Sequence, residues 1–329
     1  MERRRFITAS MSAAAGVLGG QAGARERTGD LYTGAALAFG TTVTVAVFHP
    51  RQRQAELAID EALRTMQSVD RLMSIYNPHS QVFQLNRDGM LPNPDFHLLT
   101  VLRQARALSV QSKGAFDITV QPLWRAFNEA AASGARPLEA VRLGAASKVG
   151  WRAVKVTTRE VVLEQPGMAV TLNGLAQGYA ADLALAALRA RKIEHALVDA
   201  GEFAADGSKP GPQPWSIGVA DPRDRENIAR TLRMDGRSVA TSGDYATAFT
   251  PDFIHHHIFD PATGLSPPEL SSVTVVAPSA MLADGLSTTC MVLGARRAHG
   301  LVARMPMVDL MTINKRGLLW KSPGFPASA

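Results

Sequence analysis

The chain of 329 residues carries a single cysteine, Cys290, so no internal disulfide can form. Cys290 stands in an apolar stretch without a His or Asn arrangement near it, which reads as core packing and not as a nucleophile. There is no internal repeat and no long low-complexity tract. The glycine-bearing turn at Asn173–Gly178 is neither a Walker loop, since no Gly-Lys-Ser/Thr follows, nor a G-x-G-x-x-G fingerprint. The net charge is +6, yet the positive residues are scattered and form no basic stripe interleaved with aromatics. That argues against nucleic acid and leaves room for an anionic small ligand or an acidic partner. What is present is an ordinary globular composition, 46% hydrophobic and 19% charged, with length for one large domain or two modest ones.

The densest basic group, Arg3-Arg4-Arg5, is followed by Phe6-Ile7-Thr8, the pattern of a twin-arginine export signal. The weakly apolar stretch from Ala9 to Gly20 is too short and too rich in Gly and Ala to span a bilayer. Ala22-Gly23-Ala24 offers the small residues a signal peptidase reads. Residues 1–24 are therefore expected to be a removable address and 25–329 the working domain. The expected location is the periplasm, with no membrane insertion and, lacking a Cys after the apolar stretch, no lipid anchor.

Hydrophobic periodicity predicts a strand over Thr41–Phe48 and helices over Ala55–Met73, Phe96–Ser112 and Leu138–Lys148. Phe116–Val120 reads as a short strand ended by Pro122, and Trp151–Thr158 with Val161–Glu164 as a hairpin. A strand at Ala169–Asn173 is expected to turn at Gly174 into a helix running to Arg191. Further strands are expected at His195–Asp199, Trp215–Ala220, His256–Asp260 and Ser272–Ala277. A helix capped by Ser279 should run to about Leu293, followed by a short helix and strands near Val308–Asn314 and Leu318–Lys321. The irregular alternation argues for an α+β fold.

Five segments place polar residues where packing alone does not need them. Tyr76 closes a helix at Met73-Ser74-Ile75-Tyr76, where an aromatic could stack on a planar ligand or simply end the helix. Asp117 sits in the apolar run Gly114–Pro122 and needs backbone amides or a ligand as partner. The turn Thr171–Tyr179 presents glycines and amides at a helix start, which suits phosphate or tight packing. His255-His256-His257 cannot chelate one ion in a strand, because neighbours point to opposite faces. In Ala283–Thr289, Asp284 and Thr288 are four apart and share one helical face. Carboxylate plus hydroxyl is hard oxygen ligation, suited to Mg²⁺, or else a surface Asp beside a back-bonding Thr.

Taken in order, these segments resemble the ApbE family, the FAD:protein FMN transferases. The resemblance rests on Met73–Tyr76, Gly114–Pro122, Leu172–Asp182, Thr241–Tyr245, His257–Gly264 and Ala283–Thr288. It implies one α+β domain with a central mixed sheet flanked by helices, and an FAD cleft between two lobes. It implies Tyr76, Ala115, Phe116, Asp117, Thr171, Gln177 and the Ile258 backbone at FAD. It places Mg²⁺ on Asp284, Thr288 and a backbone carbonyl near Gly174, with Ser287 assisting. Asp284 and Thr288 then serve catalysis through the metal, and His257 is a candidate for moving a proton. The implied reaction is Mg²⁺-dependent cleavage of FAD and attachment of FMN to a Thr of an acceptor flavoprotein, with release of AMP. Such acceptors end a short motif in Ser/Thr-Gly-Ala-Thr.

Three departures stand out. Thr171 replaces the family's Asp, Gln177 its Lys, and Gly201-Glu202-Phe203 stands where a Gly-Gly pair is usual. The Leu-Asn-Gly-Leu-Ala-Gln-Gly form is similar to NosX-like flavinylation factors, whose acceptors serve nitrous oxide reductase. Rival readings are an FAD-binding or FAD-hydrolysing protein without an acceptor, and a non-catalytic assembly factor for a periplasmic metalloenzyme.

Overall fold

The computed structural model describes residues 29–209, 213–224 and 226–328. The export signal expected over residues 1–24 lies outside the described residues. The chain folds as α+β, as expected. Its strands are β1 (Asp30–Ala38), β2 (Thr41–His49), β3 (Met90–Pro92), β4 (Val154–Val156), β5 (Glu160–Leu163), β6 (His195–Asp199), β7 (Phe203–Asp206), β8 (Ser216–Ala220), β9 (Ile228–Arg233), β10 (Ser238–Gly243), β11 (Leu270–Ala277), β12 (Asp309–Asn314) and β13 (Leu319–Lys321). Its helices are α1 (Gln52–Met73), α2 (Gln81–Asp88), α3 (Phe96–Gln111), α4 (Gln121–Ala131), α5 (Glu139–Ala146), α6 (Ala176–Ala190) and α7 (Ala280–Val302).

An eight-stranded sheet, ordered β1-β2-β6-β7-β10-β11-β12-β13, forms the centre. Every neighbouring pair in it is antiparallel, where a mixed sheet was expected. The physical reason is the grouping of the helices. Most fall between β2 and β6 and one between β11 and β12, so no series of strand-helix-strand crossovers builds parallel neighbours. One face of the sheet packs against α1, α6 and α7 in the main core. The other face is covered by the β8–β9 hairpin through Trp215, Ile217, Val219 and Leu232. Strand β11 is buried at every position, as a strand covered on both faces must be.

Helix α1 buries Ala58, Ile59, Ala62, Leu63, Met66 and Val69, the stripe its periodicity predicts. The expected end of the Ser279-capped helix near Leu293 coincides with a break at Gly294 (φ 73°). Three expected strands are not strands. Asp117 caps a short 3₁₀ turn, Ile118–Val120, that runs into α4, so Pro122 opens a helix instead of ending a strand. Proline is tolerated in a first helical turn because the N–H it lacks is unpaired there anyway. Val170 bonds to the Asn86 side-chain amide through both backbone groups, at 2.6 and 2.8 Å, which replaces a partner strand. The segment from His256 to Asp260 is loop, with isolated bridges from His256 to Ala248 and from Asp260 to Leu265.

Helices α6 and α7 meet at Gly178. A Cβ on Gly178 would stand 2.3 Å from the Ala280 carbonyl oxygen, so only glycine permits this approach. Gly178→Ala should cost about 1–3 kcal/mol, because the displaced atoms are backbone. Gly144→Ala on α5, where a Cβ meets nothing within 4 Å, should be neutral or stabilising. Urea denaturation of the two variants checks this; equal stability of Gly178→Ala and the parent chain would refute the contact.

Candidate active site

A cleft of about 290 Å³ opens where the start of α6, the middle of α7 and the ends of β6, β8 and β10 converge. Its rim is completed by the turn after α1, the 3₁₀ turn before α4, and the loop through His257.

One side of the cleft is built from oxygen donors. Asp284 and Thr288 both line it from α7, one helical turn apart as their spacing requires. Gly174 faces Thr288: a Cβ placed on it would lie 3.1 Å from Thr288 Oγ1. The Gly174 carbonyl in turn lies 3.7 Å from the Cβ position of Gly285. One Asp284 oxygen is held, since Oδ2 accepts the Gly178 N–H at 3.2 Å. Ser287 does not line the cleft. Its hydroxyl donates to the Asp284 carbonyl (2.8 Å) and lies 2.7 Å from Ser242 Oγ. Ser242 Oγ also lies 3.2 Å from Thr288 Oγ1, so Ser287 reaches the cleft only through Ser242.

Sequence reasoning passed over two further carboxylates here. Asp199 ends β6 and takes the Gly201 N–H at 2.9 Å; Glu202 follows in the β6–β7 turn and takes the Thr241 N–H at 3.2 Å. Burial pushes Asp199 up to about 6. Burial also pushes Glu202 well above its ordinary value, and the charge of Asp284 adds to that. Asp284, only 4% exposed, is raised chiefly by burial. Among the described residues lining the cleft there is no lysine or arginine. Buried carboxylates without a protein cation are costly unless a cation joins them. The donor set of carboxylate, hydroxyl and carbonyl oxygens therefore fits a hard divalent ion such as Mg²⁺. The signal available in sequence was the pair of acids flanking Ala200-Gly201, masked because Asp199 completes an apolar strand.

The remaining candidate residues fall around the same cleft, with different degrees of freedom. Tyr76 is 62% exposed at the mouth, edge-on to Trp124 with ring centroids 6.4 Å apart. Ala115 and Phe116 form a wall. The Asp117 carboxylate is already occupied by Thr119 N, Thr119 Oγ1 and Trp151 N, at 2.6–3.0 Å. These bonds brace the wall, and Asp117 also lines the cleft. Gln177 donates from Nε2 to the Ala200 carbonyl at 2.8 Å, tying α6 to the β6–β7 turn. Thr171 lines the cleft, its N–H bonded to Ile118 O. The amides expected to face phosphate at the α6 start are partly consumed: Ala176 N bonds Leu172 O, and Gly178 N bonds Asp284.

The histidines diverge. His256 is fully buried, with Nε2 3.3 Å from Pro267 O, and burial holds it down to about 3. His257 and Ile258 line the cleft, and His257 Nδ1 lies 3.3 Å from Thr247 O. A carbonyl can only accept, so this contact calls for a proton on Nδ1.

Fold and cleft together define an α+β protein with one carboxylate-lined cleft that also presents flat aromatic side chains. A model of the ApbE family matches residues 39–312, and the chain belongs to that family. It is similar to the FAD:protein FMN transferase of Treponema pallidum (strain Nichols), 30% identical over 320 residues, spanning 91% of this chain and 87% of that protein. The Salmonella typhimurium FAD:protein FMN transferase is 32% identical over 273 residues, spanning 78% and 77%. Among solved structures, the ApbE protein of Thermotoga maritima aligns with a TM-score of 0.79 at 28% identity, covering 89% of this chain and 97% of that one. The apo flavinyl transferase ApbE of Pseudomonas stutzeri gives 0.77 at 26% identity, covering 89% and 95%.

Asp199 provides a pH test. Its folded value of about 6 lies above the ordinary aspartate value of 3.8, so the folded state holds the proton more tightly than the unfolded chain. The stability this contributes is complete below the unfolded value and is lost as pH rises through about 6. In metal-free buffer, Asp199→Asn should raise Tm by a few degrees at pH 7.5 and leave it unchanged near pH 3.5. Thermal melts at the two pH values check it; the same shift at both would contradict the assignment.

Proposed function

We propose that this chain is an FAD:protein FMN transferase, which cleaves the FAD pyrophosphate and joins the FMN half to a threonine of an acceptor flavoprotein, releasing AMP. The observation that carries the reading is the oxygen-donor set at Asp284, Thr288 and Gly174 in a cleft wall whose carboxylates have no lysine or arginine. Asp284, Thr288 and the Gly174 carbonyl would hold Mg²⁺, with Ser287 supporting them through Ser242. A bound Mg²⁺ supplies charge neutralisation at the pyrophosphate.

The chain's own residues do the rest. Tyr76 and the Ala115–Phe116 wall offer flat apolar surface to the flavin ring, while Gln177, Thr171 and the Ile258 backbone border the polar portion. Asp117 keeps that wall rigid. The acceptor threonine oxygen attacks the phosphorus of the FMN half, and the bond from that phosphorus to the bridging oxygen breaks, with AMP as leaving group. The hydroxyl proton passes to the imidazole of His257, which lines the cleft. Most of the acceleration comes from positioning and electrostatics.

The Arg3-Arg4-Arg5-Phe6 address supports action in the periplasm. The Ser/Thr-Gly-Ala-Thr motif is the expected acceptor site, and the NosX-like form of the Leu172–Gly178 turn points to an acceptor that serves nitrous oxide reductase. Thr171 favours one alternative: with a hydroxyl where relatives of this type carry a carboxylate, water could replace the acceptor and FAD would be hydrolysed.

The test is a transfer assay with FAD, Mg²⁺ and an acceptor domain, read as in-gel flavin fluorescence and a mass gain of one FMN. Asp284→Asn should fold normally and lose at least about 100-fold in rate. Undiminished transfer by that variant would overturn the metal assignment. FMN and AMP released without labelled protein would favour hydrolysis.

A further inference from the structure

The two helices that carry the cleft's oxygen donors cap each other. Gly178 lies in the first turn of α6, where its N–H has no partner within the helix, and it donates instead to Asp284 of α7 at 3.2 Å. One turn further along α6, the Asp182 carboxylate accepts the N–H groups of Ala280 (2.7 Å) and Met281 (2.9 Å), the opening amides of α7. α7 has its own cap as well: Ser279 Oγ accepts from Leu282 N at 3.3 Å. Asp182 is therefore not needed merely to start the helix. With one oxygen on each of two successive amides, it fixes both the axial position of α7 and its rotation against α6. The absence of a side chain at Gly178 lets the backbones close on each other.

Rotation of α7 decides where Asp284 points. One of its oxygens is pinned by Gly178, which leaves Oδ1 for a ligand. Thr288 lies one turn further on, and Gly174 faces it from the segment leading into α6, lining the same cleft as Asp284. A carboxylate, a hydroxyl and a carbonyl drawn from two separate helical segments can surround one ion only if the segments hold a fixed register.

We propose that Asp182 is a positioning residue: by capping α7 from α6 it sets the register that brings Asp284, Thr288 and the Gly174 carbonyl together for a divalent cation. The proposal rests on the reading of Asp284 and Thr288 as cation ligands. Asp182 touches neither the cation nor the substrate and acts through α7. Partners of this kind typically change metal affinity 10–100-fold when altered.

The test compares Asp182→Asn with Ser279→Ala, which weakens the same helix start without touching the α6–α7 contact. Both should lower Tm by a few degrees. Binding of Mn²⁺ alone to the full chain, followed by the EPR signal of free Mn²⁺, should weaken about tenfold or more in Asp182→Asn and stay unchanged in Ser279→Ala. Asp182→Glu keeps the charge and both acceptor oxygens on a longer stem. It should melt near the parent chain yet also bind Mn²⁺ more weakly, and it decides the matter if Asp182→Asn does not fold. Parent-like Mn²⁺ affinity in the folded Asp182 variants would overturn the proposal and leave Asp182 a helix cap only. Parent protein that binds Mn²⁺ no better than Asp284→Asn would instead overturn the metal reading, and the proposal with it.

Discussion

The reciprocal capping of α6 and α7 is the constraint on which the site depends. Unpaired amides at a helix start must find acceptors, and here each helix supplies an acidic residue to the other: Asp182 to Ala280 and Met281, Asp284 to Gly178. Gly178 lets the backbones come close enough for both. The helices then lie as one unit on the main core face of the sheet, and the cleft opens at the end where their polar residues converge.

That arrangement sets the electrostatics. Asp199, Glu202 and Asp284 are brought into one wall, and burial raises all of them above their ordinary range. Gln177 occupies the α6 position from which a lysine could have offset them, and it spends its amide on the Ala200 carbonyl. A wall of this kind is unfavourable on its own, and under the proposed function a divalent ion and its phosphates would offset that cost. The protein holds the donors in place, and in the proposed function the ligand would complete the charge balance. Tyr76, Phe116 and Trp124, which also line the cleft, have the flat apolar character of a surface for an aromatic ring.

Much of this was legible in the sequence, because strong periodicity and fixed spacing survive folding. The α1 stripe, the Ser279 cap and the Asp284–Thr288 pair all follow from the helical repeat. Residues of the ordered motifs line one cleft. The failures share a cause: side chains doing backbone work. Asn86 stands in for a strand beside Val170, Asp117 turns an apolar run into a helix start, and His256 is buried against Pro267 O in a loop. A propensity pattern cannot reveal a partner 84 residues away. Asp199 and Glu202 were missed for a related reason, since only the antiparallel pairing of β6 with β7 and of β7 with β10 swings that turn over α7. Strand β1, with three Ala and one Gly among its nine residues, has little signal of its own and is defined by its register on β2.

The most direct measurement is an anomalous difference map from crystals grown with Mn²⁺ and FAD. The account predicts a peak bounded by the Asp284 carboxylate, the Thr288 hydroxyl and the Gly174 carbonyl, next to density for the pyrophosphate. A peak elsewhere, at His255–His257 for instance, or FAD bound in the cleft with no ion at Asp284, would contradict it.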